Sequence, residues 1–378
     1  MKIAIDARSL EGDKTGVGRY LENVLKIWRG RKDCDFILYF KDEVPERDFL
    51  SSENFVLKKL ENPLGFSSNF FFQHCLLPYS LKKDKADFFF SPFYLRPLFC
   101  PVPSAIVLHD ISYEAHPEWF DRKSQFILKT LSKISARRAD VIFTVSDYSK
   151  GEIMKYYKIA SDKIVVTPLA PDGGFYREED ARKIGEVKNK YGLSKFVLCV
   201  GTMFTRRHTE EIIEAFEKFS ENNGEYQLCL VGKNRTFPFV DIDEMAKNVN
   251  EKFKKKKIVC VESVAEDELM TLYSSCDAVV YLSDYEGFGL PVVEAQFFRK
   301  PVITSGNTSL LEVGGEAVEF VERNDAVAIL KSFRRVLENE DYYNALVAKG
   351  EKNIHRFSWE KCAGKTLEGI TDCFRREG

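Results

Sequence analysis

Lys2-Ile3-Ala4-Ile5-Asp6 opens the chain with a short apolar run; Val17, Tyr20, Leu21, Val24, Leu25 and Trp28 follow at helical spacing; and Asp35-Phe36-Ile37-Leu38-Tyr39-Phe40 is a second apolar run. A run too short for a helix, a 3.6-period stripe and another run together read as a β-α-β unit, with parallel strands covered by helices. The alternation continues outward from there. It predicts further strands over 55–60, 86–91, 104–110, 140–146 and 163–168, and a second series over 196–201, 226–232, 257–262, 277–282, 301–305 and 317–321. Between the two series Pro168-Leu169-Ala170-Pro171-Asp172-Gly173-Gly174 punctuates the chain with two prolines and two glycines, as a linker does. The expected class is α/β, with two Rossmann-like, doubly wound parallel-sheet domains facing across a cleft. Residues 1–170 form the first, 171–356 the second, and 357–378 a C-terminal helix crossing back to the first. Such sheets bind ligands outside the carboxyl ends of their strands, so the loops there should carry the chemistry.

Composition narrows the field of functions. The 378 residues suit two domains, and 44% hydrophobic with 30% charged residues describes a folded chain. Lysine and arginine number 56 against 58 acidic residues, a net charge of -2, so no global field favours nucleic acid and any anion site is local. Nine cysteines without a CxxC pair read as buried reduced thiols, with no zinc site. Asp6 stands where a signal peptide would be apolar, and the run Phe70 to Leu77 is interrupted by Gln73 and His74 and ended by Pro78, well short of a membrane span. The expectation is a cytoplasmic protein. Lys82, Lys83 and Lys85, beside the Phe70 to Phe72 and Phe88 to Phe90 clusters, raise peripheral contact with anionic lipid at the inner face of the membrane as a further expectation.

Two segments carry the strongest chemical signals. In Tyr285-Glu286-Gly287-Phe288-Gly289-Leu290-Pro291-Val292-Val293-Glu294, glycines permit close backbone approach, and Pro291 suits the first turn of a helix whose free N–H groups attract phosphate. Glu294, one turn in, is placed to reach a hydroxyl pair such as a ribose. Taken alone, the same acids read equally well as a helix cap and a solvated helix residue. In Gly201-Thr202-Met203-Phe204-Thr205-Arg206-Arg207-His208, two guanidiniums follow a strand and precede a helix with Ile212, Ile213, Phe216 and Phe219 on one face. Cations at a helix N-terminus oppose its dipole, so a purely structural origin is weak, whereas a departing diphosphate needs such donors.

Other signals are slighter. Gly16-Val17-Gly18 follows the first strand, but the third glycine of a dinucleotide fingerprint would fall at Leu21, which argues against NAD. His109 ends a strand, the address of a ligand contact, although a lone histidine is more often structural. His116 reads as a loop residue. Asp241-Ile242-Asp243 is a chance DxD, and no metal is expected. Lys254 to Lys257 reads as a solvated, edge-protecting run.

The segment from Ser283 through Glu294 and on to Lys300-Pro301-Val302-Ile303 closely resembles the Glu-x7-Glu signature of the GT4 family of glycosyltransferases, which have the GT-B fold. The resemblance extends from Ile5-Asp6-Ala7-Arg8 and Gly16-Val17-Gly18-Arg19-Tyr20 to Phe357-Ser358-Trp359, nearly the whole chain, and looks most like the polysaccharide mannosyltransferase branch. Where the family usually has Arg-Lys-Asn, this chain has Arg206-Arg207-His208, a planar fork in place of a point ammonium. The resemblance implies a retaining, metal-independent hexosyltransferase without cofactor, with a nucleoside-diphosphate sugar, GDP-mannose favoured, as donor. A saccharide or lipid-linked glycan of a surface polysaccharide would be the acceptor, and the leaving phosphate would itself deprotonate it. It implies that Glu286, Arg206, Arg207 and His109 serve catalysis, His109 lying beside the transferred sugar. It also implies that Gly16, Gly18, Val261, Glu286, Gly287, Phe288, Gly289, Leu290 and Glu294 join the arginines in binding donor, Val261 at the base. A sugar-nucleotide epimerase of the same architecture and a non-catalytic sugar-nucleotide-binding protein are the alternatives.

Overall fold

The computed structural model describes residues 1–12, 15–61 and 68–377, the side chains of 122–124 and 377 excepted. Every apolar run predicted as a strand is one. They are β1 Lys2–Asp6, β2 Asp35–Phe40, β3 Phe55–Lys59, β4 Phe88–Ser91, β5 Ser104–Leu108, β6 Val141–Thr144 and β7 Ile164–Val166. The second series is β8 Lys195–Val200, β9 Tyr226–Val231, β10 Ile258–Val261, β11 Ala278–Tyr281, β12 Val302–Ser305 and β13 Glu319–Val321. They form two all-parallel sheets, ordered β3-β2-β1-β4-β5-β6-β7 and β10-β9-β8-β11-β12-β13. The observed strands are shorter than the apolar runs because ladder pairing stops where the chain leaves the sheet, as at Leu282 and Ser283.

The chain divides into two compact units, residues 1–173 with 358–378, and residues 174–357. In the first, the helix Gly16–Trp28 buries Tyr20, Leu21, Val24, Leu25 and Trp28, the stripe legible in the sequence. Trp28 Nε1 donates to the carbonyl of Ala363 (3.0 Å), in the closing helix Trp359–Glu377, and Trp359 Nε1 donates to that of Pro171 (2.7 Å). The last helix thus supplies core to the unit that begins the chain. In the second unit the helix Thr209–Ser220 buries Ile212, Ile213, Phe216 and Phe219. Phe216 and Phe219 pack on Phe333 at 6.0 and 5.8 Å between ring centroids.

Two expectations change. No cysteine forms a disulfide, and Cys34, Cys229, Cys276 and Cys362 are buried, but Cys75 is exposed and four others are half-buried. Lys257 is not solvated. It is 2% exposed, immediately before the edge strand β10, and its Nζ donates to the carbonyls of Gly224 (2.5 Å) and Tyr226 (3.2 Å) at the start of β9. Among the described residues no helix is long and apolar enough to cross a membrane.

Candidate active site

In each sheet the winding direction reverses once, between β1 and β4 in the first and between β8 and β11 in the second. At such a switch point the loops leaving adjacent strands diverge and open a crevice at the carboxyl ends. In the second unit both predicted segments leave these two strands. The turn Thr205–Arg207 follows β8, and the loop carrying Glu286 follows β11.

Arg207 Nη2 lies 3.1 Å from Glu286 Oε1, with both side chains largely buried. Its guanidinium sits over the Tyr281 ring at 4.3 Å, and that of Arg206 over Phe204 at 4.4 Å. Burial is the largest influence on the Arg207 charge and disfavours it, but Glu286, Tyr281 and Cys199 together outweigh burial and raise the pKa above the ordinary arginine value. A buried fork of fixed orientation, already matched to one carboxylate, is what an incoming phosphate oxygen requires.

The loop after β11 is held from beneath. Ser309 Oγ donates to the carbonyls of Glu286 (2.9 Å) and Phe288 (3.1 Å), and Ser283 N to Ser305 Oγ (2.9 Å). Gly289 has φ +97°, and a Cβ there would lie 2.5 Å from Leu310 Cδ2, so only glycine fits. It precedes the helix Leu290–Phe297, in which Pro291 occupies the first turn. Val292 N–H is already engaged by the carbonyl of Gly289 (3.0 Å). Glu294 is not a solvated helix acid. It is 3% exposed, and its Oε2 accepts a hydrogen bond from the Tyr273 hydroxyl (2.8 Å), whose ring stacks on Phe298 at 5.2 Å. Val261 ends β10, two strands from the switch point.

The remaining predicted residues belong to the first unit. Gly18 N–H donates to Thr15 Oγ1 (3.1 Å), the N-cap of its helix. A Cβ on Gly18 would lie 2.4 Å from the carbonyl oxygen of Ser9, so this glycine lets the helix start pack on the loop after β1. Gly16 is exposed and uncrowded. His109 Nε2 lies 3.0 Å from the carbonyl of Pro92, and its ring meets Tyr20 edge-on at 5.1 Å. A carbonyl only accepts, so Nε2 carries the proton and Nδ1 is left as an acceptor. Burial depresses the His109 pKa, against the pull of the Pro92 bond, and favours this neutral form.

Residues 180–353 match the family model described as Glycosyl transferases group 1. The O-antigen chain mannosyltransferase B of Escherichia coli is 28% identical over 382 residues, which cover 97% of this chain and 98% of that protein. In both matches the chain is similar to GT4-type glycosyltransferases. It is also similar to the serotype-specific mannosyltransferase WbdA of Escherichia coli, 27% identical over 275 residues, covering 72% of this chain and 34% of WbdA. The crystal structure of Anabaena HepE in complex with UDP and glucose superposes with a TM-score of 0.75 at 14% identity, over 98% and 99% of the two chains. That likeness is one of fold, and the fold is GT-B.

Asp284 and Glu211, the partners of His208, and Tyr273, the partner of Glu294, escaped sequence reasoning. His208 adopts φ +56°, a left-handed conformation that asparagine and histidine tolerate better than most residues. Its Nε2 lies 2.7 Å from Asp284 Oδ1 and its Nδ1 3.4 Å from Glu211 Oε1. Burial opposes the imidazolium, but the bonds to Asp284 and Glu211 prevail and raise its pKa to about 9. Asp284 also accepts from Asn324 Nδ2 (3.1 Å), and its N–H donates to the carbonyl of Arg206 (3.0 Å), so it ties the two switch-point loops together. Tyr273, 21 residues before the acid it holds, gave no local signal. Asp241, by contrast, is the N-cap of the helix Ile242–Phe253 and accepts from Glu244 N (2.9 Å), which accounts for that half of the DxD. Among the described residues no group of three metal-ligating side chains occurs.

Proposed function

We propose that the transferase moves a hexose, mannose in the first instance, from a nucleoside-diphosphate sugar to a saccharide or lipid-linked glycan acceptor in surface polysaccharide synthesis, with retention and without a metal. The observation that carries this reading is the largely buried Arg207–Glu286 pair (3.1 Å) at the switch point of the second sheet. A fixed cation beside a fixed carboxylate at that crevice supports the binding of a diphosphate and its sugar there. Arg206 and Arg207 stabilise the charge that develops on the departing diphosphate. Glu286 contacts the hexose and favours an oxocarbenium-like transition state. Glu294, oriented by Tyr273, takes the ribose hydroxyls. Neutral His109 offers Nδ1 to a sugar hydroxyl.

The mannosyl assignment, and GDP-mannose as donor, draw support from the mannosyltransferase names of the similar proteins, and the nucleotide-sugar class from the UDP and glucose bound to HepE. Glu286→Gln keeps the shape of the side chain and removes its charge. Turnover should fall by about 10²–10³, the usual cost of one electrostatic contact to a transition state. Donor affinity measured by calorimetry should change far less. Full turnover in this variant would identify a protein that binds sugar nucleotides without using Glu286 for chemistry.

A further inference from the structure

His208 is a costly residue where it stands. It is the N-cap of the helix Thr209–Ser220 in a left-handed conformation (φ +56°), and a cation at a helix N-terminus opposes the dipole. Asparagine would accept the same backbone without a charge, so the cap alone does not explain a histidine. The explanation lies across the switch point. Nε2 reaches Asp284 Oδ1 (2.7 Å) on the loop after β11, and Nδ1 lies 3.4 Å from Glu211 Oε1. Carboxylates only accept, so two acids on one ring call for the imidazolium, which donates from both nitrogens.

Asp284 is in turn built into the sheet. Asn324 Nδ2 donates to the same carboxylate oxygen (3.1 Å), Asn324 Oδ1 accepts from Ser305 Oγ (2.8 Å), and Ser305 Oγ accepts from Ser283 N (2.9 Å). The Asp284 N–H donates to the carbonyl of Arg206 (3.0 Å). One chain of hydrogen bonds thus joins the carboxyl ends of β8, β11, β12 and β13, which are adjacent in the sheet. Its charged link, His208 to Asp284, stands one residue after Arg207 and two before Glu286. Holding these two residues together fixes the loops on which Arg207 meets Glu286 (3.1 Å). A charge-assisted bond does this more firmly than a neutral one.

We propose that His208 and Asp284 are positioning residues for the transfer: the imidazolium, held on the carboxylate, keeps Arg206 and Arg207 aimed at the donor diphosphate, and its neutralisation loosens that hold and weakens diphosphate binding. The assignment rests on the reading of the two arginines as diphosphate ligands given above. The charged groups around His208 are Asp284 from the loop after β11, Glu211 from the helix, and Arg206 and Arg207 beside it on its own turn, the latter matched by Glu286. Burial opposes the imidazolium, but the bonds to Asp284 and Glu211 outweigh it and raise its pKa to about 9, so the hold is lost as pH rises through about 9. The thiol and the phenol against Arg207 stay out of that window, since burial pushes Cys199 up to about 11 and holds Tyr281 well above its ordinary value. Calorimetric titration of the full chain, His208→Asn and Asp284→Asn with GDP and with UDP, from about pH 7 to about pH 10 and well below the melting temperature, tests the proposal. Affinities are compared as the ratio of parent to variant, in which titration of the base cancels. The parent should bind about tenfold more tightly than His208→Asn at pH 7, the worth of one charge-assisted hydrogen bond, and equally at pH 10. In Asp284→Asn the loss of affinity should come at lower pH than in the parent. A merely structural pair would change the melting temperature and leave the nucleotide affinity of the folded protein as it is. A parent-to-His208→Asn ratio near one at pH 7 or independent of pH, an unshifted pH dependence in Asp284→Asn, or binding of neither nucleotide would overturn the proposal. The expected ratios without turnover of any sugar nucleotide would sink the transfer reading alone, whereas turnover with a pH-independent ratio would sink the positioning role alone.

Discussion

Arg207 and Glu286 illustrate what single residues contribute. Each is largely buried and each has the other as counter-charge, so removing either leaves an unpaired buried charge as well as a missing contact. His208 is the residue with the clearest pH signature. Its folded-state pKa of about 9 lies above the ordinary histidine value, so the stabilisation it confers is complete below about pH 6.5 and is lost as pH rises through about 9. His208→Asn should be less stable than the parent chain at pH 6, and the gap in melting temperature should narrow to near zero by pH 10. A gap independent of pH would contradict the assigned ion pairs with Asp284 and Glu211. At this scale charge and spacing drew attention to Arg207 and Glu286, which the fold pairs. Asp284 and Tyr273 were silent because their partners lie 76 and 21 residues away and only the fold brings them together.

Elements were the most legible level. Thirteen strands follow from apolar runs because a parallel sheet covered on both faces leaves no polar alternation to confuse them. Element ends were less so, since an apolar run continues into the loop wherever the loop is itself buried, as at Leu282 and Ser283. The turn from β11 into the helix Leu290–Phe297 depends on Gly289, whose φ of +97° and contact distance of 2.5 Å exclude a side chain. Gly289→Ala should destabilise the second unit by about 1–3 kcal/mol. That corresponds to a fall of several degrees in melting temperature, with weaker nucleoside-diphosphate binding. An unchanged melting temperature would show that the turn relaxes without cost. Gly18 shows the limit of reading glycines from sequence, since the close packing of Ser9 on the helix start that it permits leaves no local signal.

At the scale of the molecule, the chain builds the first unit, builds the second, and returns at 358–378 to the first. Trp359, Cys362, Leu367 and Ile370 of the last helix are buried there. Ending the chain at Phe357 removes those side chains, worth roughly 1.5–3 kcal/mol for each large apolar one. The first unit should then lose its cooperative melting transition, while calorimetry still detects nucleoside diphosphate on the second. Melting like that of the full chain would refute a structural role for the helix.

Incubation of the protein with a panel of sugar nucleotides in EDTA, followed by chromatography of the products, tests the central claim most directly. The account predicts slow release of nucleoside diphosphate from GDP-mannose in preference to the others, unaffected by chelation and reduced about 10²–10³-fold in Glu286→Gln. Consumption of no sugar nucleotide, or consumption only when a divalent metal is restored, would contradict it.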